Sequence, residues 1–316
     1  MIQASQAPIH YPFLDALIEK SKARHSLNIG VVYPLSVDAL KAAIDCHHHG
    51  IAHVVVYGPE KDMQALAESA GLSLLGLEIQ DIEGSAIEVA QKAVADCAGV
   101  HPRINALMKG SLHTDELLSA CLRSSAGLRT SRRISHIFKF DVPGFEKPLF
   151  VADAVVNIDP GLNEKADILA NAIEAMHQIG VRRPKVAIIS ATESVNEKIK
   201  ATLDAKALCE MALEGAFGEA IVEGPMGLDL ALSRRSAEVK GFASHVSGDV
   251  DLLVAPDLNA GNILFKSLVY AARAESAGVI LGAKVPIVLT SRSDSAYSRL
   301  ASCAMAAALV QAANIF

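Results

Sequence analysis

The sequence predicts an α/β protein in which parallel strands alternate with helices. Hydrophobic residues make up 51% of the 316 residues, whereas aromatic residues make up only 4% and tryptophan is absent. Such an aliphatic composition is typical of strands that are covered on both faces by helices. Aliphatic runs and helical patterns also alternate along almost the whole chain, which favours strands joined by crossover helices.

The predicted elements follow from the spacing of apolar residues. Strands are expected at 27–32, 51–57, 104–108, 185–189, 220–222, 252–255, 278–281 and 287–289. Helices are expected over about 36–48, 60–70, 83–97, 114–123, 166–179, 196–213 and a last stretch that ends near 313. No internal repeat accompanies this alternation.

The segment 134–156 has a different pattern. It carries two or three strand-like runs around Pro143, Gly144 and Pro148, with little helical spacing. A change of this kind predicts a crossing between two domains. The first domain is expected to comprise 1–140 together with 288–316, and the second is expected to comprise 141–287.

Charge and targeting signals exclude several classes of protein. The net charge is −6 and no basic tract is present, so the electrostatic signature of a nucleic-acid-binding protein is missing. The first twenty residues do not resemble a secretory signal, and the apolar stretch 300–313 is too short to span a bilayer. Without a spanning segment, we expect no membrane partner. The five cysteines form no C-x-x-C pair, so we expect free thiols in a reducing cytoplasm.

Common cofactor and metal motifs are absent from the sequence. It contains no G-x-G-x-x-G, no phosphate-binding loop of the Walker type, no G-x-S-x-G and no H-E-x-x-H. His47, His48 and His49 are consecutive, and adjacent helical residues point about 100° apart, so they do not converge easily on one ion. They precede Gly50, where a helix is expected to end, and we therefore predict no metal site.

The densest polar cluster runs from Thr290 to Ser295, between the last predicted strand and the last helix. Ligands of α/β sheets bind beyond the carboxyl ends of the strands. Hydroxyl groups, Arg292 and free N–H groups at a helix start would form a phosphate site there. An alternative interpretation is that Ser293 or Asp294 only caps the helix.

Two more strand-to-helix turns have similar chemistry. One runs from Pro256 to Asn262 and leads to Lys266, although its Asp257 or Asn259 could simply act as a helix cap. The other runs from Lys109 to Thr114. A fourth cluster holds Arg129, Arg132 and Arg133, whose guanidinium groups suit bidentate phosphate contacts but could also be ordinary surface residues.

Several stretches together resemble the phosphate acetyl/butyryl transferase family. They are Lys185–Ser190, Glu223–Asp229, Ser247–Gly248, Pro256–Asn262 with Lys266, Gly278–Pro286 and Thr290–Ser295, with a looser resemblance at Lys109–Gly110 and around Asp153. The resemblance implies two three-layer α/β domains with a cleft between them, similar to the isocitrate/isopropylmalate dehydrogenase fold. It also implies a homodimer that transfers a short acyl group between coenzyme A and phosphate, with coenzyme A as a substrate and no metal or bound cofactor.

The resemblance also assigns roles to residues. Ser291 and Arg292 match a pair that contacts phosphate, and Asp294 is the nearest carboxylate for a catalytic role. The substrate-binding residues that we expect are Lys109, Ser111, Thr114, Arg132, Arg133, Asn259, Gly261, Asn262 and Lys266.

Two departures from the family pattern affect the site. Acetyl-specific members carry an acidic residue where this chain has Ser298, and many members carry an arginine where it has Ser119. Arg132 or Arg133 could supply the charge that is missing at 119.

Two other functions remain as alternatives. A metal-dependent hydroxy-acid dehydrogenase of the same fold would need clustered acidic ligands, and Asp249 and Asp251 are the close pair near the cleft motifs. A non-catalytic module that binds coenzyme A or acyl phosphate is the second alternative. The Thr290–Ser295 stretch resembles butyryl-specific members, whereas Arg132–Phe138 resembles members named for acetyl transfer, so the acyl length stays open.

Overall fold

The computed structural model describes residues 9–22, 27–99, 101–289 and 294–313. The strands are β1 Asn28–Val32, β2 His53–Gly58, β3 Glu78–Asp81, β4 Ala106–Lys109, β5 Ser135–Asp141, β6 Leu149–Ala152, β7 Lys185–Ile189, β8 Ile221–Met226, β9 Leu252–Val254, β10 Glu275–Leu281 and β11 Ile287–Val288. The helices are α1 Pro12–Lys22, α2 Val37–His48, α3 Glu60–Ser69, α4 Ala86–Ala98, α5 Thr114–Leu122, α6 Leu162–Gln178, α7 Lys200–Leu213, α8 Leu228–Leu232, α9 Arg234–Val239, α10 Leu258–Lys266 and α11 Ala296–Ala313. The prediction of a mixed α/β fold is confirmed.

Within the described ranges, one sheet of eleven strands runs through the protein in the order β3-β2-β1-β4-β11-β10-β5-β6-β9-β7-β8. Strands β3, β2, β1, β4 and β11 pair in parallel, and so do β6, β9, β7 and β8. Strands β10 and β5 lie between these groups, and the pairs β11–β10, β10–β5 and β5–β6 are antiparallel. Three antiparallel pairings separate the two parallel groups, so their strands run in opposite directions.

The predicted parallel strands form the two outer groups, whereas the strands between them pair in an antiparallel manner. The segment 134–156 forms β5 and β6, which pair with each other near the middle of the sheet. Its composition therefore marks the junction between the two parallel groups. The division into domains 1–140 with 288–316 and 141–287 stays a prediction.

Local sequence explains where individual helices begin and end. The Ser36 side chain accepts a hydrogen bond from the backbone N–H of Ala39 and caps α2. That helix ends at His48, with His49 as its C-cap and Gly50 in the left-handed region at φ 67°. The three consecutive histidines therefore lie at a helix end, as predicted.

Helix α11 is buried in the core over most of its length. Ala301, Cys303, Ala304, Met305 and Ala306 are fully buried. It packs against β10, α1 and α2. Small side chains on every face allow a helix to be enclosed in this way. Within the described ranges, every helix falls short of the length or the apolarity that crossing a bilayer requires.

Candidate functional site

The carboxyl ends of β1 and β4 form one edge of the site. The Gly110 N–H donates to the Val32 carbonyl at 2.9 Å, and the Ser111 N–H donates to the Tyr33 carbonyl at 2.8 Å. A β-carbon at position 110 would lie 2.4 Å from the Val32 oxygen, so only glycine permits this approach. The turn that follows Lys109 is thereby fixed against the end of β1.

The predicted cluster at this turn is brought together by the fold. The Lys109 ammonium group donates to the carbonyl groups of Gly110 and Leu112, each at 3.2 Å. The Ser111 hydroxyl is buried and has no hydrogen-bond partner among the described residues. Thr114 is the first residue of α5. A buried hydroxyl without a partner is costly, which favours a ligand or water at this position.

Ser291 and Arg292, the two residues predicted to contact phosphate, lie outside the described residues, as do Thr290 and Ser293. The preceding strand, β11, pairs in parallel with β4, with Val288 level with Met108. The strand that leads to Thr290 therefore runs toward the edge where Lys109 lies.

Asp294 lies beside α2. It lines a cavity of about 200 Å³ together with Asp38, Lys41, Asp45 and Arg299. The side chain of Arg299 is 9% exposed, and its Nη1 lies 3.7 Å from Oδ1 of Asp38. The predicted catalytic carboxylate therefore has a strongly charged environment.

A carboxylate that sequence reasoning missed lies next to Ser298. The hydroxyl groups of Ser298 and Ser295 both donate to Oε2 of Glu275, at 2.6 and 2.9 Å. Glu275 is the first residue of β10 and precedes Ser295 by 20 residues and Ser298 by 23 residues. No local pattern connects these positions, so only the packing of α11 on β10 shows the contact.

The arginine cluster lines a second part of the site, which we call the arginine cavity. This cavity has a volume of about 500 Å³ and lies between α5, the segment that precedes β5, and the segment that follows β6. Its polar wall includes Arg129, Arg132, Arg133 and Asn157, and its apolar wall includes Leu118, Leu122, Ile134 and Val156. Because α5 begins at Thr114, this helix leads from the edge of β4 to the arginine cavity.

Arg132 and Arg133 differ in how they are held. Arg132 forms an ion pair with Glu174 on the outer side of α6. Arg133 has two side-chain partners, because its Nε donates to Oδ1 of Asn157 at 2.5 Å and its Nη1 lies 2.6 Å from Oε1 of Glu164. Arg133 is therefore the more firmly oriented of the two predicted substrate-binding arginines.

Asp153 organises the segment that follows β6. Its Oδ1 accepts hydrogen bonds from the N–H groups of Val155 and Val156, at 2.8 and 3.0 Å. Its Oδ2 accepts a hydrogen bond of 2.6 Å from Nδ2 of Asn157. Burial raises the pKa of Asp153 even though these hydrogen bonds lower it. The carboxylate thus fixes a tight turn beside the arginine cavity.

The predicted turn from Pro256 to Asn262 packs on this same segment. A β-carbon at Gly261 would lie 2.3 Å from the Asp153 carbonyl oxygen, so α10 approaches the chain too closely for any other residue. Nδ2 of Asn262 lies 3.5 Å from the Ala154 carbonyl, whereas Asn259 and Lys266 are exposed. Asp257 caps α10, since its Oδ1 accepts from the Ala260 N–H at 2.9 Å, which confirms the simpler interpretation of that residue.

The acidic pair that a metal-dependent dehydrogenase would need is held by lysines. Lys147 contacts Asp249 at 2.7 Å and Asp251 at 2.6 Å, and Lys185 contacts Asp249 as well. These contacts lower the pKa of Asp249 to about 2. Across residues 9–22, 27–99, 101–289 and 294–313, no group of three His, Cys, Asp or Glu side chains could hold a metal ion.

The fold and the site define an α/β protein with polar turns at its strand ends and a cavity lined by three arginines. The family described as "Phosphate acetyl/butaryl transferase" matches residues 100–307. The chain is 44% identical to a phosphate acetyltransferase of Rhizobium meliloti, over 93% of this chain and 92% of that relative. It belongs to the phosphate acetyl/butyryl transferase family.

Solved structures with a similar fold agree with this assignment. A branched-chain phosphotransacylase from Enterococcus faecalis V583 has a TM-score of 0.77 and 29% identity, covering 90% of this chain and 99% of its own. A 4-hydroxythreonine-4-phosphate dehydrogenase from Salmonella typhimurium, described as putative, has a TM-score of 0.60 and 14% identity, over 90% of this chain and 99% of its own. The second likeness concerns the fold alone.

Proposed function

We propose that this protein is a phosphate acyltransferase that reversibly transfers a short acyl group between coenzyme A and inorganic phosphate. Membership of the family supports the reaction class. The structural observation that carries the proposal is the arginine cavity, where Arg133 is oriented beside an aliphatic wall. Coenzyme A joins phosphate groups to an uncharged arm, and such a cavity suits both parts.

The proposed reaction requires a thiolate and a stabilised leaving group. The coenzyme A thiol loses its proton, and its sulfur attacks the carbonyl carbon of the acyl phosphate. The carbon–oxygen bond to phosphate breaks, a thioester forms, and the proton ends on the released phosphate. Ser291 and Arg292 stabilise the charge that develops on the phosphate oxygens, with Lys109 at the adjacent strand edge.

We propose Asp294 as the group that accepts the thiol proton, because it is the carboxylate nearest in sequence to Ser291 and Arg292. Coenzyme A acts as a substrate, and no bound metal or organic cofactor takes part. The remaining substrate-binding roles fall to Ser111, Thr114, Arg132, Arg133, Asn259, Gly261, Asn262 and Lys266.

The test of this function is a direct assay of the purified protein. Acyl phosphate and coenzyme A are combined in the presence of a strong chelator, and thioester formation is followed at its ultraviolet absorbance. We expect turnover with acetyl phosphate, butyryl phosphate or both, and the ratio of the two kcat/KM values gives the acyl preference. Tight binding of coenzyme A without any turnover would favour the non-catalytic module instead.

A hydroxy-acid dehydrogenase is the less favoured candidate. Its acidic metal ligands would have to come from Asp249 and Asp251, and both already contact Lys147. NADH formation from a hydroxy acid with a divalent metal would revive this candidate. We expect none.

The finer points of architecture are also proposals. We propose two domains with a fold of the isocitrate/isopropylmalate dehydrogenase type, and a location in the cytoplasm, which suits five free cysteines. We propose a homodimer, because three large apolar side chains are exposed around α10. Ile263 lies on α10 and is 65% exposed, Tyr270 follows that helix and is 66% exposed, and Ile158, whose carbonyl accepts from the first N–H of α10, is 73% exposed. Light scattering after size-exclusion chromatography would test the dimer.

A further inference from the structure

We propose that Asn157 is a positioning residue for coenzyme A binding: it is anchored by Asp153 and orients the guanidinium group of Arg133 toward the arginine cavity. The identity of the ligand rests on the proposed function. The positioning itself rests on contacts among described residues.

The guanidinium group of Arg133 is held on its inner side. Asn157 accepts from Nε at 2.5 Å, and Glu164 contacts Nη1 at 2.6 Å. A guanidinium group has five N–H donors in a fixed plane, so fixing two of them sets the direction of the others. The side chain is 50% exposed, which leaves its outer part accessible to a ligand in the cavity.

The backbone of Arg133 is fixed as firmly as its side chain. Its N–H donates to Oδ2 of Asp167 at 2.9 Å, and its carbonyl accepts from Nδ2 of Asn171 at 2.8 Å. An arginine oriented in this way loses little side-chain entropy when it binds an anion.

Asn157 can orient Arg133 because it has no freedom of its own. It is 2% exposed, and its Nδ2 donates to Oδ2 of Asp153 at 2.6 Å and to the Ile134 carbonyl at 3.0 Å. Both partners of Nδ2 are acceptors, so the amide oxygen must face Arg133. Asp153 is itself fixed by two backbone N–H groups.

The cavity in front of Arg133 favours coenzyme A over acyl phosphate as the ligand. Its volume of about 500 Å³ lies in the range of pockets for organic ligands and exceeds what a small acyl phosphate needs. Leu118, Leu122 and Val156 offer an apolar wall for an uncharged arm, while the arginines offer donors to phosphate groups.

A purely structural role for Asn157 is the competing interpretation, since its amide also satisfies buried acceptors. A double-mutant cycle separates the two roles. Coenzyme A binding is measured by isothermal titration calorimetry for the wild type, Asn157→Ala, Arg133→Ala and the double variant. Because the probe is coenzyme A alone, the measurement requires no turnover.

If Asn157 orients Arg133, Asn157→Ala weakens coenzyme A binding roughly tenfold, the effect of disturbing one charge-assisted hydrogen bond. The same substitution then weakens binding less than about twofold in the Arg133→Ala background, because the group that it orients is gone. In active enzyme, the KM for coenzyme A rises in parallel while the KM for acyl phosphate stays within about twofold.

Ser302→Ala is the matched control for lost stability. Ser302 is 7% exposed, accepts from the Gly278 N–H at 3.0 Å and donates to the Ser298 carbonyl at 2.8 Å, away from the arginine cavity. We expect a lower melting temperature and unchanged coenzyme A affinity. If Asn157→Ala does not fold, Glu164→Gln weakens the other contact to Arg133 and is tested in the same cycle.

An equal loss of affinity from Asn157→Ala in both backgrounds would overturn the positioning role. Unchanged affinity in a folded Asn157→Ala variant would do the same. A wild-type protein that binds coenzyme A with the predicted non-additivity but makes no thioester would contradict the proposed function and support the positioning of Arg133.

Discussion

The hydroxyl group of Ser298 donates a hydrogen bond of 2.6 Å to Oε2 of Glu275, which joins the first turn of α11 to the start of β10. The hydroxyl of Ser295 donates to the same oxygen at 2.9 Å. The Ser298 N–H in turn donates to Oγ of Ser295 at 2.9 Å. In sequence, Ser295 and Ser298 follow shortly after Ser291 and Arg292, the residues proposed to contact phosphate.

We expect Glu275→Ala to lower the free energy of unfolding by about 2 kcal/mol, because two hydroxyl groups lose a charged acceptor. Glu275→Gln keeps an acceptor oxygen and should cost less than about 1 kcal/mol. Urea unfolding at pH 7 measures both. Glu210→Ala, on an exposed i,i+4 pair with Lys206, is the surface control and should change stability by less than about 0.5 kcal/mol.

Arg292→Ala should lower kcat for thioester formation at least about a hundredfold, because a charged donor to the leaving phosphate is lost. Initial rates at saturating coenzyme A measure the effect. Arg235→Ala on the exposed face of α9 removes the same charge elsewhere and should leave the rate unchanged. Activity that survives in Arg292→Ala would remove this residue from the mechanism.

Asp294→Asn tests the proposed proton acceptor. Loss of a general base typically costs a factor of about 10² to 10⁴, so we expect kcat to fall at least about a hundredfold. The fall of kcat at acidic pH should also disappear from the pH–rate profile. If Asp294→Asn is fully active and Glu275→Gln is not, the proton acceptor is Glu275 instead.

His136 makes stability depend on pH. The ring is buried, neither ring nitrogen has a hydrogen-bond partner among the described residues, and burial lowers the pKa of His136 to about 3. Below an ordinary pKa of about 6.5 the unfolded chain binds a proton that the folded protein does not, so stability is lost as the pH falls from about 6.5 toward 3.

We therefore expect the free energy of unfolding to fall by about 2 kcal/mol between pH 7 and pH 5 through His136 alone. His136→Leu removes the titrating group, so its unfolding free energy should vary less with pH by that amount. Urea unfolding of both proteins at the two pH values gives the difference. Parallel pH curves for the two proteins would show that His136 takes up its proton in the folded state.

Gly261→Ala should be strongly destabilising. The added β-carbon would lie 2.3 Å from the Asp153 carbonyl oxygen and 2.9 Å from the Ala154 Cα, so α10 must move away from the segment after β6. Overpacking of this kind costs about 1–3 kcal/mol. Gly99→Ala is the control, because Gly99 has a negative φ of −68° and the nearest atom to its added β-carbon lies 3.9 Å away, so this change should cost little. A Gly261→Ala protein that melts at the wild-type temperature would contradict the close packing.

Local sequence patterns predict much of the fold. The strand at Lys185–Ile189 begins and ends at the predicted residues, and most of the other predicted elements match within a few residues. Apolar spacing and turn residues act over neighbouring positions, so they can be recognised without knowing the tertiary structure. The same patterns predict that polar turns at strand ends carry the site. Helix α1 and strand β3 were missed, because Glu78–Asp81 is polar and α1 lies before the first aliphatic run.

The sequence by itself determined the α/β class, the family and the candidate residues at the turns after β4 and β9. Only the tertiary structure decided that the two parallel groups of strands run in opposite directions, since this depends on β10 pairing with β5, more than a hundred residues earlier. It alone also showed the contact of Ser298 with Glu275 and the chain from Asp153 through Asn157 to Arg133. Hydrogen bonds between distant side chains require positions that the whole fold sets, and no local periodicity records them.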